Sequence, residues 1–252
     1  MDANILDSGP MSALHVPESR FGVWFLSTDV WSTHVLRRAI ADLLPLIPQR
    51  RESYEVVADV GCGWGRSFAL LKESFAPQRI IGIDLDPQML AKSAETALQQ
   101  GIDVEMHRGR ASQLPLADAS VDLLLCHQTF HHLVEQEATL REFMRVLKPG
   151  GVLLFAESTR KYIHSWIIRL LFRHPMEVQR TAEEYLAMLR AAGFIIDAQS
   201  ISYPYLWWSR GDLGVLERWF GLRPRATREE TLINLAAMKP WGWSASVSVR
   251  AE

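Results

Sequence analysis

The chain has 252 residues, 48% of them hydrophobic, and 27 lysines and arginines against 29 aspartates and glutamates, for a net charge of -2. That length buries one full core and is short for two, and so balanced a charge offers no broad basic field for a phosphate backbone, which argues against nucleic acid as partner or substrate. The two cysteines, Cys62 and Cys126, lie in glycine-rich or apolar surroundings and not at metal-ligand spacing, so neither a disulfide framework nor a metal site is expected and a reducing cytoplasm fits.

The first residues, MDANILDSGPMSALH, carry no basic leader and no continuous apolar run, and no later stretch has the length of a membrane span, so the expectation is a soluble, cytoplasmic protein. Residues 1–20 show no period and read as an arm. From Thr28 or Asp29 onward, Trp31, Val35, Leu36, Ile40, Leu43 and Leu44 recur at helical spacing until Pro48, which predicts a helix ahead of the sheet. Residues 1–50 are thus an arm with a cap helix, and residues 51–252 are the main domain.

Strands are expected over Glu55 to Val60, Arg79 to Asp84 and Val104 to His107, with helices over Arg66 to Phe75 and Pro87 to Gln100 between them. That alternation means βαβ units and a parallel sheet, since parallel neighbours need a crossover. Asp86 before Pro87 starts its helix well and Gly101 ends it. A fourth strand, Val121 to Cys126, precedes a helix over about Glu135 to Leu147, and Gly151 opens a fifth strand, Val152 to Ala156. Thr181 and Glu184 have capping-box spacing for a helix over Ala182 to Ala192, and Phe194 to Ser200 reads as a sixth strand. Thr231 to Met238 and Val247 to Val249 compete for the seventh. The expected fold is α/β, a Rossmann-like seven-stranded, mostly parallel sheet with helices on both faces, plus the N-terminal helix and a lid segment over residues 157–180.

The densest signal is Asp59-Val60-Gly61-Cys62-Gly63-Trp64-Gly65, an apolar strand running into three glycines at alternate positions and then a helix. Glycines there allow a tight turn and let a ligand lie against bare backbone. The spacing is G-x-G-x-G, without the third glycine of the dinucleotide fingerprint, which favours a phosphate-free adenosyl ligand over NAD or a nucleotide sugar. Asp84, at the end of the second strand and about twenty residues further on, suits the two hydroxyls of a ribose.

With Gly82-Ile83-Asp84-Leu85-Asp86-Pro87-Gln88-Met89-Leu90, Leu114-Pro115-Leu116, Phe130-His131-His132-Leu133 and Arg145-Val146-Leu147-Lys148-Pro149-Gly150-Gly151, residues 52–156 closely resemble a class I S-adenosylmethionine (SAM)-dependent methyltransferase of the type 11 family. The resemblance implies SAM as cofactor. It implies that Asp59 and the loop Gly61, Cys62, Gly63, Trp64 and Gly65 surround its methionine part, that Asp84 holds the ribose, and that Leu85 and Met89 line the adenine. The family usually places an acid before alanine after the third strand. Here the pair is Arg110-Ala111, and since arginine offers no acceptor, Ser112, Gln113 or a backbone carbonyl must serve the adenine.

Methyl transfer needs alignment and exclusion of water, and a base only where the acceptor must lose a proton. Three histidines follow the fourth strand, where an open α/β sheet keeps its ligand crevice. The resemblance sets His127 beside the sulfonium and His132 inward, which makes His132 and His131 the catalytic candidates. Between Arg160 and Arg173, Ile163, Trp166, Ile167, Leu170 and Leu171 share one helical face opposite basic residues. That face suits a lid over the active-site mouth, or a membrane surface touched peripherally. Aromatics near both ends, Trp24, Tyr162, Trp166, Tyr203, Tyr205 and Trp207, are candidates to bind a small, largely apolar or aromatic acceptor. The expected function is SAM-dependent methylation at O, N, C or S. The alternative is a non-catalytic SAM-binding sensor or partner subunit, toward which Arg110 leans.

Overall fold

The computed structural model describes residues 18–210, 215–221 and 229–242. Residues 1–17 of the arm expected over residues 1–20, and the competing strand at Val247 to Val249, lie outside the described residues, and Arg20 already belongs to a helix. Seven strands form one sheet: β1 (Val56–Val60), β2 (Arg79–Asp84), β3 (Glu105–Arg108), β4 (Val121–His127), β5 (Leu147–Ser158), β6 (Ile201–Ser202) and β7 (Leu232–Met238). Their order is β3-β2-β1-β4-β5-β7-β6, with β7 antiparallel to both its neighbours and the other pairs parallel. The expected α/β fold is therefore the one observed, and the first candidate for the seventh strand, Thr231 to Met238, forms β7.

The strands are apolar almost without interruption because helices cover both faces. On β1, Val56, Ala58 and Val60 join Leu124, Cys126, Leu153 and Phe155 in a core closed by α5 (Gln136–Val146) and α8 (Ala182–Ala191). The alternate residues Val57, Leu123, Leu125, Val152 and Leu154 meet α2 (Arg37–Leu43) and α3 (Phe68–Phe75) on the other face. The helix α4 (Pro87–Gln99) starts as its sequence demands: Asp86 accepts from the Gln88 backbone N–H at 2.8 Å, with Pro87 first in the helix. Thr181 and Glu184 form the expected capping box on α8.

Several boundaries move for physical reasons. The sixth strand is not Phe194 to Ser200: that stretch gives one bridge, Ile195 to Met238, and a short 3-10 turn at Ala198–Ser200, and regular pairing waits until Ile201. β5 begins earlier than expected, at Leu147, because a register shift between Val121 and Leu123 of β4 absorbs the Lys148-Pro149-Gly150-Gly151 corner. The pre-sheet segment is not one helix. It divides into α1 (Arg20–Leu26), capped by Ser19, a π-helical stretch at Trp31–Leu36, and α2. The basic amphipathic segment also breaks, into α6 (Arg160–Ile163) and α7 (Trp166–Leu171), with His164 and Ser165 as the corner. The break rotates its faces: Ile163 and Ile168 turn inward, while Trp166 and Leu170 are exposed.

At the N-terminal edge of the sheet, the buried Asp122 carboxylate gathers three donors: the Val56 backbone N–H at 3.0 Å, Arg51 at 3.1 Å and Lys148 at 2.9 Å. Arg145 binds the Leu114 and Leu116 carbonyls at 3.0 and 2.8 Å, which is why the Leu114-Pro115-Leu116 and Arg145 motifs occur together. Replacing Asp122 by alanine leaves the Val56 N–H buried without an acceptor. We expect Asp122→Ala to lower unfolding stability by about 1–3 kcal/mol in chemical denaturation, with Asp122→Asn losing less.

Candidate functional site

Because β1, β2 and β4 run parallel, their C-terminal ends and the loops that follow meet at one edge, beside the point where strand order reverses. A cavity of about 660 Å³ opens there, within the range of roughly 300–1,000 Å³ usual for small-molecule sites. Its floor is the glycine loop. Gly63 has a positive φ of 50°, and an added Cβ would meet nothing closer than the Gly61 carbonyl oxygen at 4.0 Å, so the bare backbone faces open space. Gly65 is different: a Cβ there would lie 2.6 Å from the Phe68 ring and 3.0 Å from the Ser93 Cα. It is a packing glycine and lies outside the cavity lining, unlike Asp59, Gly61, Cys62, Gly63 and Trp64.

Asp84 ends β2 and clamps this loop. One carboxylate oxygen accepts from the Gly63 N–H at 3.0 Å and the other from the Asp86 N–H at 2.9 Å. Leu85 and Met89 lie on the same wall. Asp59 is buried and held by the Ser67 hydroxyl. Burial pushes its carboxyl up to about 7, the Ser67 hydroxyl pulls it back in part, and the nearby Asp84 raises it further.

Arg110 and Ala111 line the cavity at its far corner, together with Ser112. The acid absent after β3 has a counterpart there: Glu135, at the start of α5, also lines the cavity and accepts from the Ser112 hydroxyl at 2.7 Å. Sequence reasoning missed it because Glu135 is 25 residues beyond Arg110 and reads as an ordinary residue of a helix start.

The loop after β4 supplies the opposite wall with His127, Gln128, Thr129 and His132. Burial, reinforced by the nearby His131, lowers the His127 imidazole to about 3, which makes it a neutral ring and a weak base at physiological pH. His131 is buried and does not line the cavity; its Nδ1 meets the Glu157 carboxylate at 2.6 Å. Glu157, at the end of β5 and wholly buried, also accepts from the Thr129 and Phe130 N–H groups at 2.9 and 2.8 Å. That carboxylate fixes the whole turn and was not visible in the sequence.

The N-terminal elements close the cavity with Val23, Leu26, Trp31 and Leu36. Trp31 lies tilted against His127, ring centroids 5.5 Å apart, and Arg66 ties the cap to the glycine loop through the Ser27 carbonyl at 2.6 Å. The aromatics expected to bind the acceptor lie elsewhere. Trp24, Trp166, Tyr203 and Trp207 are exposed, Tyr162 packs edge-on against Trp208, Tyr205 sits under the Arg210 guanidinium, and none of the six lines the cavity. The cause is the broken segments: the turn after α1 carries Trp31, not Trp24, to the cavity, and the α6–α7 corner sends Trp166 outward.

Trp64 Nε1, Arg66 Nε, His127 Nε2 and Thr139 Oγ1, on residues that line the cavity, are buried without a hydrogen-bond partner among the described residues, as are Ser165 Oγ and Ser200 Oγ away from it. With the open Gly63 face and the Asp84 carboxylate, the residues present fit SAM.

Comparison with known proteins agrees. Residues 58–155 match the family model of a methyltransferase domain. The chain is 36% identical over 122 residues to a demethylmenaquinone methyltransferase of Deinococcus radiodurans, covering 48% of each chain. It is 38% identical over 117 residues to a trans-aconitate 2-methyltransferase of an Azoarcus species, covering 46% of this chain and 43% of that one. It thus spans less than half the length of these curated relatives. A SAM-dependent methyltransferase structure from Aquifex aeolicus superposes with a TM-score of 0.59 at 19% identity, covering 86% of this chain and 97% of that one, which establishes the shared fold. Residues 58–155 thus match a methyltransferase domain, and this match, with the methyltransferase relatives and the shared fold, supports S-adenosylmethionine as the cofactor.

Proposed function

We propose that the protein transfers the SAM methyl group to a small, largely apolar or aromatic acceptor. The observation that carries the reading is the single cavity into which the glycine loop, Asp84, Glu135 and the β4 loop all converge while the cap contributes Val23, Leu26, Trp31 and Leu36. SAM supplies an electrophilic methyl on a sulfonium. This chain's residues hold it: the Gly61–Trp64 backbone and Asp59 around the methionine part, Asp84 at the ribose, Leu85 and Met89 along the adenine, and Glu135 at the adenine edge in place of the acid that Arg110 replaces. His127 supplies a neutral ring nitrogen near the methionine end. Leu26 and Trp31 exclude water and present an apolar face to the acceptor, and His132 is the imidazole on that wall suited to the proton of an O–H or N–H acceptor. A non-catalytic SAM-binding role leaned on Arg110, and Glu135 at the same corner weakens that support.

Calorimetric titration with SAM, followed by donor consumption over phenols, quinols and amines, tests the reading. We expect saturable binding and turnover. Binding without turnover on any acceptor would favour a sensor or partner subunit, and no binding would overturn the proposal. Loss of two charge-assisted hydrogen bonds in Asp84→Asn and Asp84→Ala should weaken SAM by about 100-fold, and unchanged affinity in both would remove Asp84 from the site.

Glu135→Ala should weaken SAM by about tenfold, the worth of one hydrogen bond to a charged acceptor, while leaving the unfolding midpoint unchanged. Equal affinity would show that the adenine edge is served elsewhere.

The raised carboxyl of Asp59 gives a pH dependence. A cation bound beside it favours the carboxylate, so below about pH 7 binding must first expel a proton, and SAM affinity falls by up to about tenfold per unit. Titrations at pH 6 and pH 8 should show this in the wild type and not in Asp59→Asn.

A further inference from the structure

His131, His132 and His174 each bring one ring nitrogen into a common cluster, and these atoms all lie within 4.8 Å of one another. The ring centroids are 4.3 Å apart for His131 and His132, 5.2 Å for His131 and His174, and 4.7 Å for His132 and His174. The first two stand on the short turn Phe130–His132 after β4, and the third comes from the loop before Met176–Val178, 42 positions beyond His132.

We propose that these three imidazoles form a binding site for one divalent transition-metal ion of the zinc type. A tetrahedral ion with bonds of about 2.0–2.1 Å holds its nitrogens about 3.3 Å apart. Binding then requires the half-buried His132 and His174 to turn about their side-chain bonds toward the fixed His131. His131 is fixed by the feature that accompanies ligating histidines: its Nδ1 faces a buried carboxylate, Glu157, at 2.6 Å, leaving Nε2 for the ion. Because Glu157 Oε1 is already taken by two backbone N–H groups, the carboxylate cannot swing away.

The surrounding backbone is held just as firmly. Gln179, buried, donates both to the His131 carbonyl at 2.8 Å and to the Pro175 carbonyl at 2.7 Å, so one side-chain amide clips the His174 segment to the His131 turn. Gln136, also buried, repeats the arrangement between the Phe130 and Val178 carbonyls at 3.4 and 3.0 Å. Two buried amides spent on one loop hold the three rings together before any ion arrives. Three protein nitrogens are the ligand count of sites that leave a position to water or substrate. Since His132 also lines the cavity, the ion lies at its wall, where an acceptor oxygen, nitrogen or sulfur can take that position.

The expectation of no metal rested on cysteine spacing, and the approach of His174 to His131 and His132 is what changes it. The test uses tag-free protein stripped with chelator and titrated with cobalt(II) alone, followed by visible absorption and calorimetry, with zinc(II) as competitor. We expect one equivalent to bind, zinc to displace it, and His174→Ala to lower the affinity at least tenfold. Glu157→Gln should lower it by about 10- to 100-fold. His164→Ala, on the exposed α6–α7 corner, serves as the control and should bind as the wild type does. Should Glu157→Gln unfold, His174→Gln, altered only in a half-buried loop, replaces it. Absence of a saturable one-to-one transition, or full binding in both His174 variants, overturns the proposal. No SAM is present in the titration, so its outcome is independent of the cofactor reading.

Discussion

The parallel pairing of β4 with β1 and of β1 with β2 is the constraint from which the rest follows. A parallel neighbour can be reached only by a crossover, so each strand must be followed by a helix laid on a sheet face, and every strand must finish at the same edge. Order β3-β2-β1-β4 then places the β1, β2 and β4 loops side by side although their residues are far apart in sequence. The same constraint makes the strands apolar on both faces. Polar side chains are admitted at their ends: Asp59, Asp84, His127 and Glu157 at one edge, Asp122 at the other.

Those polar groups divide into two sets. Asp122 and Glu157 spend their acceptors on the protein, on backbone N–H groups and neighbouring cations or imidazole, and serve to fix the corner and the turn around them. Trp64 Nε1, His127 Nε2 and Thr139 Oγ1 are buried without such partners among the described residues. All three residues line the cavity, although buried side-chain atoms without a partner also occur away from it, at Ser165 Oγ, Gln179 Oε1 and Ser200 Oγ.

How much of this the sequence revealed depends on the range of the interaction concerned. The glycine loop, the Asp86–Pro87 helix start and the Thr181–Glu184 capping box are local, decided within a few residues, and were legible. The mostly parallel sheet and the cofactor loop followed from the βαβ rhythm and from a spacing of glycines. What was not legible depends on contacts between distant segments. Nothing near Glu157 in the chain says that it will cap a turn 26 residues earlier, and nothing near Glu135 says that it will meet Ser112. The amphipathic pattern over Arg160 to Arg173 promised one helix, but Ser165 breaks it, and the faces read from an unbroken period were turned by the break. Trp31 was read as a helix residue among others. Only the docking of the cap, through Arg66 to the Ser27 carbonyl and Ser19 to the Leu171 carbonyl, brings it against His127.

Charge inside the cavity bears on the choice between ligands that share this fold. Asp59 and Asp84 both line it, and Asp59 is held near 7 chiefly by burial and further by the proximity of Asp84. A buried and a half-buried carboxylate so close repel each other when both are ionised, so a ligand that adds negative charge makes the site worse and one that adds positive charge relieves it. A dinucleotide brings a pyrophosphate to the glycine loop, whereas SAM brings a sulfonium and an ammonium there. The missing third glycine and the paired acids therefore argue in the same direction by different physics, one through the shape of the turn and the other through the sign of the charge it must accommodate.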